Sequence, residues 1–547
     1  MFLHGCGLPR AWLGQAQWRI FDTAFGTGLS FLAAWRAWKD DPLRPRMLHY
    51  VSVDASPARA EDLLHSAAPH VELVPLAAEL AEQWFGLAPG AHRLAFEGGA
   101  VLLTLHVRDA REMLRRDTFI ADSVFLGAGQ SDEPVLKGVA RHCRRGTRLA
   151  ASTALGGRSR VLEACGFTVR HETEAVFDPR WEPKGMPAAR KVEPAQAIVV
   201  GSGLAGAAAA ASLARRGWQV TVVDAAADPA GGASGLPVGM VAPHTSPDDN
   251  LLSRLSRAGV RMTLQCAAEV LRADEWAQSG VLEHHIGDGA SSYPGDGGYA
   301  AWQRAPSEAQ ARAAGLGEST ATVWHEHAGW IKPSALVRAL LRQPGIRTRG
   351  NARVTRLEPG KPWTVHLADG SRLDAAVVIV AAALDSAALC PGLDVNAVRG
   401  QVAWGPQDGA LASPPFPVNG HGHFIPGVPT DAGPAWFCGS TYGRGDTDAR
   451  VREADTAVNL ERLSRLLPAV HTQLNTQEVR SWAGVRCTSR DRRPLVGEWA
   501  PGLWVCTAMG SRGLTFCVLA AELIAAKLHH EPLPLTDRLA AAIDVRR

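Results

Sequence analysis

The sequence predicts an α/β chain of two halves, each built on a mostly parallel sheet, with a mixed α+β region interleaved in the second. Three observations predict it. Short apolar runs alternate with helical stretches through residues 1–178. A proline-rich joint without apolar periodicity follows at 179–194. A glycine-punctuated strand–turn–helix then opens the remainder, 195–547. Strands alternating with helical segments are the pattern of parallel sheets, because a parallel pair needs a crossover between its strands.

Composition narrows the classes. A chain of 547 residues corresponds to about three ordinary domains or two large ones. Hydrophobic residues at 46% and charged residues at 20% exclude wholesale disorder. A net charge of +3 neither identifies nor excludes a nucleic-acid partner. The nine cysteines form no C-x-x-C pair and are odd in number, which argues against a secreted disulfide framework or a zinc ribbon. Met1–Ile20 lacks a basic segment followed by a long apolar run, so a cytoplasmic, non-membrane protein is expected. Ala197–Ala214 is apolar, but its glycines and its strand–turn–helix pattern fit a spanning helix poorly.

In the first half, the strand Trp18–Asp22 runs into a turn containing Gly26 and Gly28 and then a helix start. A second strand, Leu48–Val53, ends in Asp54, an acid suited to ribose hydroxyls. A third, Leu103–Asp109, also ends in an acid. A fourth, Ser123–Leu126, leads into Gly127 and an acidic loop with Asp132 and Glu133. Arg115, Arg116, Arg141, Arg144, Arg145, Arg148, Arg158 and Arg160 give this half basic character suited to phosphates.

The second half opens with Ala197–Val200 and then Gly201-Ser-Gly203-Leu-Ala-Gly206 before the helix Ala207–Arg216. Gly201 permits the tight turn, Gly203 admits a pyrophosphate close to the backbone, and Gly206 lets helix and strand pack closely. The strand Gln219–Val223 ends in Asp224, suited to a ribose. A second small-residue loop, Gly231–Gly235 with Ser234, lies just beyond. Near the C-terminus stand Trp482-Ala-Gly-Val-Arg486, Pro494-Leu-Val-Gly497 and Met509-Gly510-Ser-Arg512-Gly513-Leu514-Thr515, followed by an apolar helix, Phe516–Leu528. Arg486 and Arg512 offer guanidinium forks that suit a carboxylate. His325-Glu-His327 and His421-Gly-His423 have alternate spacing that suits metal ligands, but no third ligand is evident. Structural or surface roles are expected there, and no metal.

The motif order of the second half resembles the glycine oxidase and D-amino-acid oxidase family of FAD enzymes. The first half resembles Rossmann-like S-adenosylmethionine (SAM) methyltransferases. Ala233–Asn250, Ala328–Pro333 and Gly510–Thr515, with Phe2–Pro9, Phe25–Trp35 and Tyr50–Asp54, look like one family that joins both: the bifunctional tRNA 5-methylaminomethyl-2-thiouridine biosynthesis proteins. The resemblance implies FAD at Gly201, Gly203, Gly206, Asp224, Ser234, Gly510, Gly513, Leu514 and Thr515. It implies SAM at Asp22, Gly26, Gly28, Asp54 and Asp109, and a substrate-carboxylate clamp of Arg486 and Arg512. The implied substrate is a tRNA wobble uridine. FAD-dependent removal of a carboxymethyl group would precede SAM-dependent methylation of the exposed amine. Family members begin several dozen residues earlier. Three residues depart from the pattern: Leu236 replaces an Asn, Ala24 replaces a Gly, and Gly127 replaces a catalytic Asp, which places methylation in question. Two alternatives are a small-molecule amine or amino-acid oxidase with a relic methyltransferase domain, and a non-catalytic tRNA-binding protein. The sequence sets no oligomeric state.

Overall fold

The computed structural model describes residues 1–129, 132–183, 193–284, 298–316, 321–409, 411–474 and 478–547. Two compact units separate: Met1–Glu193 with Ala525–Ala540, and Pro194–Ile524 with Ala541–Arg547. Residues 184–192 of the expected joint lie outside the described residues. The linear division expected from the sequence assigns 525–540 to the second half, whereas the fold gives this segment to the first unit. Its backbone answers buried cations there. Arg19 Nη1 donates to His530 O at 3.2 Å and Arg93 Nη2 donates to Pro532 O at 2.6 Å. The carboxylate of Glu531 lies 3.7 Å from His49, both buried. Buried polar groups left without such partners would be costly, so this segment is part of the unit's interior.

The first unit is an eight-stranded sheet. Five neighbouring strands are parallel, in the order Val101–Val107, Met47–Val53, Gln17–Asp22, Ala121–Leu126 and Cys143–Ala151. Antiparallel strands extend both edges. Consecutive residues of the central strands face opposite sides: Ile20 and Tyr50 join one apolar cluster, Phe21 and Val51 the other. Both faces are therefore covered, as a parallel sheet requires. Strand order reverses between Gln17–Asp22 and Ala121–Leu126, and the crevice at their carboxyl ends is where such sheets bind ligands.

The second unit holds a six-stranded sheet ordered Ile346–Arg349, Gln219–Val223, Gln196–Val200, Val377–Val380, Leu503–Thr507 and Leu495–Ala500, parallel except for the last pairing. A second, mostly antiparallel sheet contains Val281–His284, Thr322–His325, Val418–Gly420, Gly422–Thr430, Gly433–Gly439 and Asn396–Pro406, which also pairs with Arg480–Thr488. This is the mixed region expected between the nucleotide motifs. Among the described residues no helix is long and apolar enough to cross a membrane.

Candidate active site

The glycine turn of the second unit is built as its spacing predicts. Gly201 sits at φ +107°, a conformation that favours glycine. A Cβ at Gly206 would overlap the carbonyl oxygen of Gly201, so the helix Leu204–Arg215 can approach its strand only with glycine there. A Cβ at Gly203 would lie 3.0 Å from Ser234 Oγ, which also accepts the Leu204 N–H at 3.0 Å. Asp224 accepts from Ser202 N at 2.6 Å, Ser202 Oγ at 2.7 Å and Ala226 N at 2.8 Å. Its carboxylate therefore braces the turn while standing at the cavity wall.

One cavity of about 590 Å³ is lined by Gly201, Gly203, Asp224 and Ser234 of this region and by Arg486, Gly510, Arg512, Gly513, Leu514 and Thr515. Gly206 is not on the wall, and its role is packing. The helix Gly513–His529 presents its N-terminal residues to the cavity, which favours negative charge there. Gly259 makes that approach possible: a Cβ on it would overlap Thr515 O, and nearby Thr263 Oγ1 donates to Leu514 O at 2.7 Å. Leu236, the residue that replaces Asn, also lines the cavity.

Arg486 and Arg512 line the same cavity. Arg486 pairs in register with Val398, and Gly400, two residues along the same strand, leaves room for the guanidinium, which a Cβ there would overlap. Arg486 donates to Ser440 Oγ at 2.8 Å and lies over the Tyr442 ring at 4.7 Å. Burial lowers the pKa of both arginines, and among the described residues neither has a carboxylate partner. A desolvated guanidinium without an acid is prepared for an anionic ligand. Burial, then the Arg486 charge, pulls His423 down to about 4, so its ring is neutral at pH 7. His423, with Glu283 and His244, lines the same cavity. Of the histidine pairs, His423 stands at the cavity wall, while His325 is fully buried against Glu283. Among the described residues no cluster of three or more potential metal ligands occurs.

The first unit places its residues at the crevice. Gly26 and Gly28 take φ +57° and +76°, and a Cβ on Gly26 would meet open space. Asp54 accepts from Gly26 N at 3.2 Å, and Asp54 N donates to His106 O at 3.0 Å, tying neighbouring strand ends together. Asp22 is buried and turned inward. It accepts from Tyr50 Oη at 2.8 Å and Ala24 N at 3.1 Å, and burial pushes its carboxyl up to about 7. Asp109 caps the helix Ala110–Arg116, accepting from Glu112 N at 3.0 Å. Gly127 N donates to Thr23 Oγ1 at 2.9 Å, and a Cβ at Gly127 would lie 2.7 Å from Ala24 Cβ. The two departures from the pattern, Ala24 and Gly127, are therefore neighbours occupying one space. Asp132 caps the helix Glu133–Arg141 and pairs with Arg111; Glu133 pairs with Lys137 at 2.6 Å.

The second unit's turn, cavity and helix terminus define an FAD-dependent oxidoreductase. The profile of the FAD dependent oxidoreductase family (DAO) matches residues 196–527. The fold agrees with that of iminodiacetate oxidase from Chelativorans sp. BNC1, with a TM-score of 0.51 at 20% identity, covering 62% of this chain and 96% of that one. An L-amino acid deaminase from Proteus vulgaris also scores 0.51, at 19% identity over 66% of this chain and 96% of that one. Similarity over the whole chain is more specific. A protein of Paracidovorax citrulli is 47% identical, covering 100% of this chain and 94% of its own length. One from Polaromonas naphthalenivorans is 46% identical, over 99% and 92% respectively. Both carry the name tRNA 5-methylaminomethyl-2-thiouridine biosynthesis bifunctional protein MnmC, and the chain belongs to that family.

Proposed function

We propose that the chain modifies the wobble uridine of tRNA in the cytoplasm. Its second unit removes the carboxymethyl group from 5-carboxymethylaminomethyl-(2-thio)uridine, leaving 5-aminomethyl-(2-thio)uridine. Its first unit methylates the freed amine to 5-methylaminomethyl-(2-thio)uridine. The observation that carries the first reaction is the pair of guanidiniums, Arg486 and Arg512, which have no carboxylate partner among the described residues and line the same cavity as the dinucleotide turn.

FAD, when bound, supplies a two-electron oxidant for the carbon between the amine and the carboxylate. The protein's contribution is positioning. Arg486 and Arg512 hold the substrate carboxylate, and Tyr442 stacks on Arg486 and limits water at the guanidinium. The N-terminal turn of Gly513–His529 favours negative charge on the reduced ring. Water adds to the substrate imine, and glyoxylate leaves with the carboxymethyl carbons. Asp224, Gly201 and Gly203 would hold the adenosine end of FAD.

In the first unit the open turn at Gly26 and the carboxylate of Asp54 suit the methionine and ribose parts of SAM, with Asp109 near the adenine. Asp22 supports this site from below through Tyr50. Methyl transfer runs there without a side-chain carboxylate at Gly127. The acids of the following loop do not replace it, because Asp132 caps a helix and Glu133 holds Lys137.

The test is to incubate the purified protein with tRNA bearing the carboxymethylaminomethyl uridine, with SAM and air, and to read nucleosides by mass spectrometry. Aminomethyl uridine alone means an active flavin site and a silent first unit. Methylaminomethyl uridine means both act. Unchanged substrate overturns the proposal.

A further inference from the structure

The arginines account for the substrate's carboxylate but not for its base. Tyr442 lines the cavity, yet 60% of it is exposed, so it stands at the mouth. Of the described residues lining the cavity, it is the only exposed aromatic. Its ring lies 4.7 Å from the Arg486 guanidinium, and its phenol interacts electrostatically with Arg512 as well. One ring face is thus turned to the clamp, and the exposed area lies away from it. Strand pairing adds a cation. Val398 lies opposite Arg486 on one side and opposite Arg444 on the other. Directly paired residues put their side chains on one face of a sheet, so Arg444 starts from the same face as Arg486. Arg444 is exposed and has no ion-pair partner among the described residues. The rim therefore presents a flat apolar surface and, two residues further along the chain, an unanswered positive charge.

We infer that Tyr442 is the platform on which the uracil of the modified nucleotide stacks, with Arg444 taking an adjacent backbone phosphate. The inference rests on the carboxymethyl-removal reading and deepens it, because it says how the site takes a nucleotide rather than a free amino acid. Reach supports it. Four bonds separate the uracil ring from the carboxylate carbon of the arm, a span of about 5 Å at ordinary bond lengths. With the carboxylate held by Arg486, the base lies within roughly 9 Å of that guanidinium. The Tyr442 ring is inside that radius. An offset stack lets the arm pass the ring edge on its way to the clamp. Every base has a flat π-face, and stacking on an aromatic side chain beside a cation for the phosphate is how single-stranded nucleotides are ordinarily held. A small amino acid gains nothing from an exposed ring at this place.

The experiment compares wild-type, Y442L, Y442F and R444A holoenzymes by equilibrium titration, with the flavin reduced beforehand so that ligands bind without turning over. Two anticodon-loop oligonucleotides serve as ligands. One carries the carboxymethylaminomethyl uridine. In the other that uracil ring is saturated across C5–C6, which keeps the arm and the phosphates but not the flat face. Wild type is expected to bind the flat base about ten- to a hundredfold more tightly, the worth of one base on an aromatic ring. Y442F is expected to keep that preference and Y442L to lose it, whatever the lost cover over Arg486 costs both ligands alike. R444A is expected to weaken both ligands equally and to reduce the slope of log affinity against log salt by about 0.7, the value for one phosphate of a single strand. No preference in the wild type, or a preference that survives in Y442L, overturns the stacking assignment. An unchanged salt slope in R444A overturns the phosphate contact. Failure of the carboxymethylaminomethyl oligonucleotide to reduce oxidised wild-type flavin overturns instead the reading beneath both.

Discussion

The two glycine turns of this chain face the same task and are held in different ways. In the second unit each glycine of 201–206 is demanded by a neighbour: backbone oxygen at Gly201 and Gly206, the Ser234 hydroxyl at Gly203. In the first unit Gly26 opens on empty space, and the residue beside the turn, Ala24, fills a volume that a side chain at position 127 would need. One turn is specified by contacts that only glycine satisfies. The other is specified by backbone conformation and carries a paired change of side chains at its rim. A glycine turn therefore establishes where a nucleotide can lie, whereas the residues at the neighbouring strand end decide whether chemistry follows.

The largest expected effect breaks the contact-specified turn. Gly206→Ala sets a methyl group against Gly201 O, and overpacking against backbone is expected to cost at least about 3 kcal/mol. Purified protein would carry little flavin, readable from its visible spectrum and melting temperature. Retention of stoichiometric flavin would show that helix and strand have slack. Arg486→Ala comes next. It leaves the flavin bound and is expected to cost about 2–5 kcal/mol in the reduction step, since a desolvated carboxylate loses its partner. Stopped-flow reduction by modified tRNA measures it, and unchanged kinetics would remove the clamp.

The rim pair sharpens the other side of the comparison. Gly127→Asp alone puts its Cβ 2.7 Å from that of Ala24 and is expected to destabilise by about 1–3 kcal/mol. Ala24→Gly together with Gly127→Asp relieves the overlap. The double variant is expected to melt higher than the single one and to incorporate more methyl groups. If the single variant matches the double, the two positions are independent. The smallest effect concerns Asp22. Its pKa rises to about 7 on folding, from 3.8, with burial as the main cause. Below about 4 both states are protonated. Between about 4 and 7 the folded state binds more protons than the unfolded state, so stability falls as pH rises through that window. Asp22→Asn is expected to flatten this limb in a melting-temperature series.

Much of this arrangement was legible in the linear chain. The glycine turns announce themselves because the φ values at Gly201, Gly26 and Gly28 favour glycine and the packing at Gly206 leaves no room for a Cβ. Arg486 and Arg512 were legible by resemblance, since their motifs stand beside strand and helix signals. Glu283 was not: its partner His325 lies 42 residues away on an adjoining strand, and nothing local marks the pairing. The contact between Ala24 and Gly127 was hidden for the same reason, across two neighbouring strand ends. Asp22 reads as a ligand residue because it precedes the turn, and its hydrogen bonds to Tyr50 and Ala24, made across strands, could not be read from the sequence.

The return of Ala525–Ala540 to the first unit has a consequence for synthesis. A ribosome delivers the chain from its N-terminus at about 5–20 residues per second, and domains ordinarily fold as they emerge. Here Arg19, His49 and Arg93 wait for carbonyls and a carboxylate from residues 530–532. The unit translated first is thus completed only after the whole of Pro194–Ile524 has been made. A message that stops short of codon 530 yields a first unit in which Arg19 keeps Asp122 but loses the carbonyl of His530, and Arg93 loses that of Pro532.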